Sequence, residues 1–207
     1  MKKTSLLGTA MAMLAVFALS SAAWAQDKKA AAKPDANPKA QAKPQAKPQA
    51  KPDAKADPTE QAVLLGQFDN WGAYKATPGG KKVCFALAKP TSAVTEPAGR
   101  NRDPSYAFVS TRPAEKVKNE VSVIVGYSQK AGVDASATIG STTYVMYTQN
   151  DGAWVKNAAE EAQMVETMRK GTDLVIKSVS GLGTKTTDTY SLKGLGEAVD
   201  KAAEECK

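Results

Sequence analysis

The sequence predicts a mainly β protein: a β-sandwich of about seven or eight strands with two accessory helices, preceded by a disordered Lys/Pro/Ala-rich linker. Three observations carry that expectation. In Glu120–Tyr127 (EVSVIVGY), Val121, Val123, Val125 and Tyr127 alternate with Ser122, Ile124 and Gly126. Period 2 with β-branched residues on one face and Ile124 on the other reads as a strand covered on both sides. Similar short runs, separated by Gly, Pro, Asn and Asp, lie around it. Finally, Cys84 and Cys206, the only two cysteines of the chain, lie far to either side of that stretch.

The chain begins with a different grammar. Lys2 and Lys3 precede an apolar run, Leu6–Leu19, too short to span a bilayer comfortably, and Ala23-Trp24-Ala25 supplies a small-x-small cleavage pattern. Residues 1–25 therefore read as a signal peptide with a processed chain starting at Gln26; the competing reading is a retained anchor. Residues 26–60 hold Ala, Lys, Pro, Gln and Asp almost exclusively, with KPQA at 43–46 and 47–50 and KPDA at 51–54. Prolines at 34, 38, 44, 48, 52 and 58 interrupt any helix, and nothing larger than Ala is present to bury. This is a semi-extended spacer reaching between ~35 and ~110 Å. Two readings stay open for it, a weak electrostatic tether to anionic envelope polymers and a plain solubilising tail.

The net charge of +7 divides unevenly. The signal carries +2 and the linker +3 (eight Lys against five acids), which leaves +2 for residues 61–207. A nearly neutral domain argues against a nucleic-acid partner. No other run approaches a membrane span, so no transmembrane segment is expected after cleavage.

The folded part, residues 61–207, starts with Gly66–Ala76, read as one strand with its aromatics inward. Pro78-Gly79-Gly80 is a turn. In Lys82–Ala88, Val83, Phe85 and Leu87 share a face and Cys84 takes the other. Lys89–Pro104 has no strand pattern and reads as a long polar connection carrying Arg100, Arg102 and Asp103. Tyr106–Thr111 is a strand stopped by Pro113. After the central strand come a Gly/Asp/Ser-rich stretch, the strand Thr142–Gln149 and an Asn150-Asp151-Gly152 turn leading to Trp154. Asn157 can cap a helix with Glu160 at the capping-box position, Ala158, Ala162, Val165 and Met168 on one face, Met164 in the core, and Arg169 and Lys170 in the last turn before Gly171. Leu174–Val179 and Thr187–Leu192 read as strands joined by Gly181-Leu182-Gly183. From Leu195 a second helix places Leu195, Val199, Ala202 and Cys206 on one face.

An exported protein with two cysteines has one possible pairing. A Cys84–Cys206 bond would pin the terminal helix across the sheet face opposite Phe85 and Leu87 and close a loop worth about 4–5 kcal/mol in the chain-entropy picture. Two separate buried thiols are the alternative.

Taken in order, FDNWGAY, VCFAL, RDPSYAFVSTRP, NEVSVIVGY, DGAW, MRKG before LVIKS, YSLKG and the terminal Cys resemble the invasion-associated locus B family over residues 66–206. The resemblance implies a bacterial extracytoplasmic β-sandwich protein, named for a role in host-cell invasion in some members; it brings no catalytic or ligand-binding residues with it.

The chemistry open to the chain is narrow. The sequence holds no histidine, which excludes Ser-His-Asp and Cys-His catalysis and His-ligated metal sites. Gly181–Thr186 (GLGTKT) lacks the glycine before lysine and the following helix that a phosphate loop needs, and reads as a hairpin turn. No catalytic residue, metal or cofactor is expected. Phe68, Trp71, Tyr74, Tyr144, Tyr147 and Trp154 read as core before ligand platform. Arg100 and Arg102, two apart in a long loop, are the candidate contacts for a carboxylate or phosphate on an envelope or host component. The competing view leaves them solvated, one of them paired to Asp103. The expected function is a non-enzymatic exported binding or accessory protein, periplasmic or surface-associated, serving the envelope or host-cell invasion. Its rivals are a carboxylate-dependent envelope glycan hydrolase and an extracytoplasmic inhibitor or chaperone.

Overall fold

A computed structural model describes residue 59 and residues 61–207; the expected signal peptide and nearly all of the linker lie outside the described residues. Eleven strands and two α-helices make up the domain: β1 (Val63–Phe68), β2 (Trp71–Ala76), β3 (Val83–Ala88), β4 (Ser92–Glu96), β5 (Tyr106–Arg112), β6 (Val117–Ile124), β7 (Ala135–Ile139), β8 (Thr142–Gln149), β9 (Gly152–Val155), α1 (Ala158–Lys170), β10 (Asp173–Val179), β11 (Lys185–Ser191) and α2 (Leu195–Glu205). All sheet neighbours are antiparallel, in the order β1-β2-β3-β5-β6-β9-β8-β7-β10-β11-β4.

The sheet curls so that its two ends face each other. β2 and β11 stand second and tenth in the order, yet the Trp71 indole Nε1–H donates to the Ser191 carbonyl at 2.9 Å. One buried cluster correspondingly takes residues from both halves: Trp71, Val109, Val121 and Val123 from one, Ile139, Met146, Ile176 and Tyr190 from the other. This is the sandwich principle carried out by one continuous sheet, with inward residues of both halves sharing a core.

Strand number is the main departure from expectation: eleven, not seven or eight. Three strands were hidden. Phe68 and Trp71 pair across a two-residue turn, so the expected first strand is the hairpin β1–β2; Asp69 takes φ 46° there, a conformation Asp tolerates. β4 runs through what reads as a strandless connection, pairing with β11 from Ser92–Thr189 to Glu96–Lys185. β7 falls in the Gly/Asp/Ser-rich stretch, where small Ala135 and Ala137 face inward beside Ile139.

The central strand keeps the expected alternation but spans Val117–Ile124, so Val125 to Tyr127, expected within it, lie past its end, where Gly126 takes φ 75°. Val121, Val123 and Val125 are fully buried, while Ser122 and Ile124 on the other face are half-buried. Phe85, Leu87, Tyr106 and Phe108 form a second cluster on that other face, with Tyr74 stacked on Phe85 at 5.4 Å. Trp71 and Tyr144 are core, but Tyr147 is 41 % exposed and stacks on half-buried Trp154.

Both helices begin where the sequence places them. Asn157 caps α1 by accepting from the Ala159 N–H at 2.9 Å, and Met164, Val165 and Met168 are buried. Ala162, expected on that face, is exposed. Glu160 makes no reciprocal capping bond among the described residues; Glu161 instead accepts from the Val121 N–H at 2.8 Å, tying the helix to β6. In α2, Leu195, Ala198, Val199 and Ala202 face inward. Cys206 just beyond is joined to Cys84 with the two Cα atoms 5.9 Å apart. Lys75 and Lys82 fasten that terminus further, to the Glu205 carboxylate (2.7 Å) and carbonyl (2.8 Å). None of the helices among the described residues is long and apolar enough to cross a membrane.

Candidate functional site

β3 begins near the disulfide and ends at Ala88, where the chain enters the connection to β5. That connection is edge strand β4 followed by residues 97–105. The latter lie beside the Ser180–Thr184 turn, which joins β10 to β11.

Arg102 is the anchor of this region. Its side chain is 11 % exposed and that of Asp188, on β11, is 1 % exposed. The guanidinium engages Asp188 through both nitrogens, with Nη1 at 2.8 Å from Oδ2 and Nη2 on Oδ1, and Nη1 also donates to the Val125 carbonyl at 3.0 Å. Two parallel N–H···O bonds fit the planar fork of arginine to a carboxylate. Burial by itself would lower the Arg102 pKa; the hydrogen bonds and charge of Asp188 more than reverse it, and the net displacement is upward. Tyr127 lies under the guanidinium, ring centre 5.9 Å from Cζ, and its hydroxyl meets Thr186 Oγ1 at 2.5 Å. Tyr190 completes the layer: its hydroxyl donates to Ser105 Oγ at 3.2 Å, and burial pushes the phenol pKa well up.

The loop can lie this close because of Gly126. It has φ 75°, and a Cβ there would stand 2.0 Å from the Asp103 carbonyl oxygen; the Asp103 N–H in return donates to the Gly126 carbonyl at 3.0 Å. The neighbouring turn is equally fixed. Ser180 Oγ accepts from the Thr184 N–H (3.1 Å), the Ser180 N–H donates to the Thr184 carbonyl (2.8 Å), and the Gly181 N–H donates to the Ser128 carbonyl (2.9 Å). These bonds hold Leu182 at the tip with 97 % of its surface exposed.

Two concavities result. One, of about 700 Å³, lies between β4 and the loop, lined by Lys89, Val94, Arg100 and Asp103 among others. The second, of about 400 Å³, lies between Arg100–Arg102 and the turn, with Tyr127, Leu182 and Thr186 in its walls.

The two arginines singled out in the sequence thus serve different ends. Arg102 points inward to Asp188, not to Asp103. Arg100 is exposed, lines both concavities, and its guanidinium has no partner among the described residues. Sequence reasoning missed Asp188, Tyr127 and Leu182. A signal for Asp188 existed: Thr186, Asp188 and Tyr190 alternate onto one face of a strand, and a carboxylate at an inward position demands a partner.

Comparison with known proteins yields one decisive finding: the family model described as invasion associated locus B (IalB) protein matches residues 74–203. The chain belongs to the invasion associated locus B family. The match runs from β2 into α2, so the Arg102–Asp188 pair, the Ser180–Thr184 turn and Cys84 all lie inside the family's span. Cys206 falls just beyond it. No curated protein and no solved structure matches the chain.

Proposed function

We infer that this member of the invasion associated locus B family is a non-enzymatic, exported binding protein, periplasmic or surface-associated. Its partner contact is the surface formed by the Lys89–Pro104 connection and the Ser180–Thr184 turn. The observation that carries this reading is the division of labour between two neighbouring arginines. Arg102 is consumed by a buried carboxylate and makes the region rigid, and Arg100 stands exposed at the rim with no partner among the described residues. Rigid frameworks that hold a loop and leave one charge unspent are suited to recognition. Export is supported by the Lys-apolar-AWA pattern, the family and the disulfide, which persists in oxidising compartments. The non-enzymatic reading is supported by the absence of histidine from the sequence and by the engagement of both Asp188 carboxylate oxygens with Arg102. Service to host-cell invasion follows from the family name alone and is part of the proposal.

The test is site-specific photocrosslinking in the exported protein. A crosslinker at Asn101, beside the cleft, should trap an envelope or host component, while one at exposed Glu160 on α1 should not. Adducts formed equally at both positions, or only at Glu160, would place the contact elsewhere.

A further inference from the structure

The 400 Å³ cleft differs in kind from the larger concavity beside it. Volumes of this size match small-molecule sites, which pair an apolar lining with a few placed polar groups. Here the apolar part of the lining comes from Tyr127 and Leu182. A leucine with 97 % of its surface in water at the tip of a hydrogen-bonded turn does nothing for the core. The polar part is Arg100 at the rim together with hydroxyls of Thr95, Ser128, Ser180 and Thr184. Arg102 also lines the cleft, but its charge is balanced by Asp188 directly behind it. The uncompensated charge of the lining is therefore Arg100, and no Asp, Glu or Lys belongs to the lining.

We propose that this cleft binds a small amphipathic anion, a carboxylate or phosphate head on a short apolar chain, with Arg100 holding the head and Leu182 and Tyr127 gripping the chain. The inference rests on the binding surface proposed above and adds the chemical class of its ligand. A guanidinium suits both carboxylate and phosphate, so the two heads are alternatives within one chemistry. The apolar walls set the requirement for a tail: a bare anion would leave Leu182 and Tyr127 in water and gain only the charge contact. Affinity depends little on conformational adjustment, because the turn and the loop are both fixed by backbone hydrogen bonds before any ligand arrives.

The experiment is an NMR titration of the exported protein with octyl phosphate, octanoate, inorganic phosphate and neutral octyl glucoside, all as monomers. The Leu182 methyl and Arg100 side-chain signals should shift saturably with the two octyl anions, and at least tenfold weaker with octyl glucoside and with inorganic phosphate. Arg100→Gln should weaken the octyl anions about tenfold or more without unfolding the domain, and Leu182→Ser should remove the advantage of octyl phosphate over inorganic phosphate. Equal affinity for octyl glucoside would overturn the anion requirement, and equal affinity for inorganic phosphate would overturn the tail. A response only to phosphatidylglycerol vesicles and to no monomer would replace a ligand cleft with a membrane contact. If no probe shifts these signals while crosslinking at Asn101 still traps a component, this inference fails and the wider binding surface stands.

Discussion

Two connections hold this domain shut, at opposite ends of β3. Near its start, Cys84 is bonded to Cys206 across 122 residues, and α2 lies over the sheet with an apolar face of Leu195, Ala198, Val199 and Ala202. Past its end, the chain is fastened by the ion pair between Arg102 and Asp188, in a neighbourhood where buried Ser105, Ser178, Ser180 and Thr186 replace aliphatic residues. Every buried side-chain nitrogen and oxygen among the described residues has a hydrogen-bond partner. The polar end is conditional: losing one charge alone leaves the other buried without its partner, which is strongly unfavourable. The proposed contact surface sits at the conditional end, where the exposed Arg100 lies beside these fixed polar groups.

If that contrast holds, the ion pair should be the more damaging connection to break. Asp188→Leu alone should lower the unfolding free energy by about 3–5 kcal/mol in a urea titration, while the Arg102→Met/Asp188→Leu double variant should recover most of the loss. A double variant as unstable as the single one would mean that the pair's geometry, not an orphaned charge, sets the cost. Removing the clasp by Cys84→Ala/Cys206→Ala should cost about 2–4 kcal/mol by the same measurement, below the chain-entropy value for the loop, which measured disulfide stabilisation often fails to reach. Non-reducing mass analysis of the exported protein should find no free thiol, and two alkylatable cysteines would remove the clasp from the account.

A smaller effect is expected where α1 meets the central strand. Burial raises the pKa of Glu161, the Val121 N–H bond opposes that, and nearby Glu120 adds to the rise. A carboxyl that holds its proton more tightly when folded stabilises the domain at acid pH. It loses that contribution as pH climbs from the ordinary glutamate value through the raised one. Glu161→Gln keeps an acceptor for Val121 and removes the charge, so it should raise the Tm at pH 7 by about 1–2 °C and flatten the pH dependence in that interval. A fall in Tm would show that the charge itself is favourable. Least of all should come from the linker: deleting residues 26–56, which apart from proline contain no aromatic or aliphatic residue larger than Ala, should move the Tm by no more than ~2 °C.

How much of this was readable beforehand follows from burial. The β6 alternation, the Asn157 cap, the α2 face and the Cys84–Cys206 pairing are written in large apolar side chains and capping residues, and all four stand in the structure. β4 was not readable because an edge strand with Ser92, Ala93 and Val94 facing solvent has no inward face to alternate. β7 was missed because Ala135 and Ala137 bury too little area to register as a hydrophobic pattern. In the site, Arg100 and Arg102 were legible as a pair but not as opposites. Their different fates depend on Asp188, 86 residues on from Arg102, and a long-range ion pair leaves no local spacing in the sequence.

The most direct measurement is retention of the exported protein on immobilised envelope extract across a salt series, parent against Arg100→Glu, with the Tm of each recorded alongside. The account predicts an unchanged Tm, because Arg100 is exposed and unpaired among the described residues, together with lost retention at low salt and a flattened salt dependence. Retention and salt dependence identical to the parent's would contradict it.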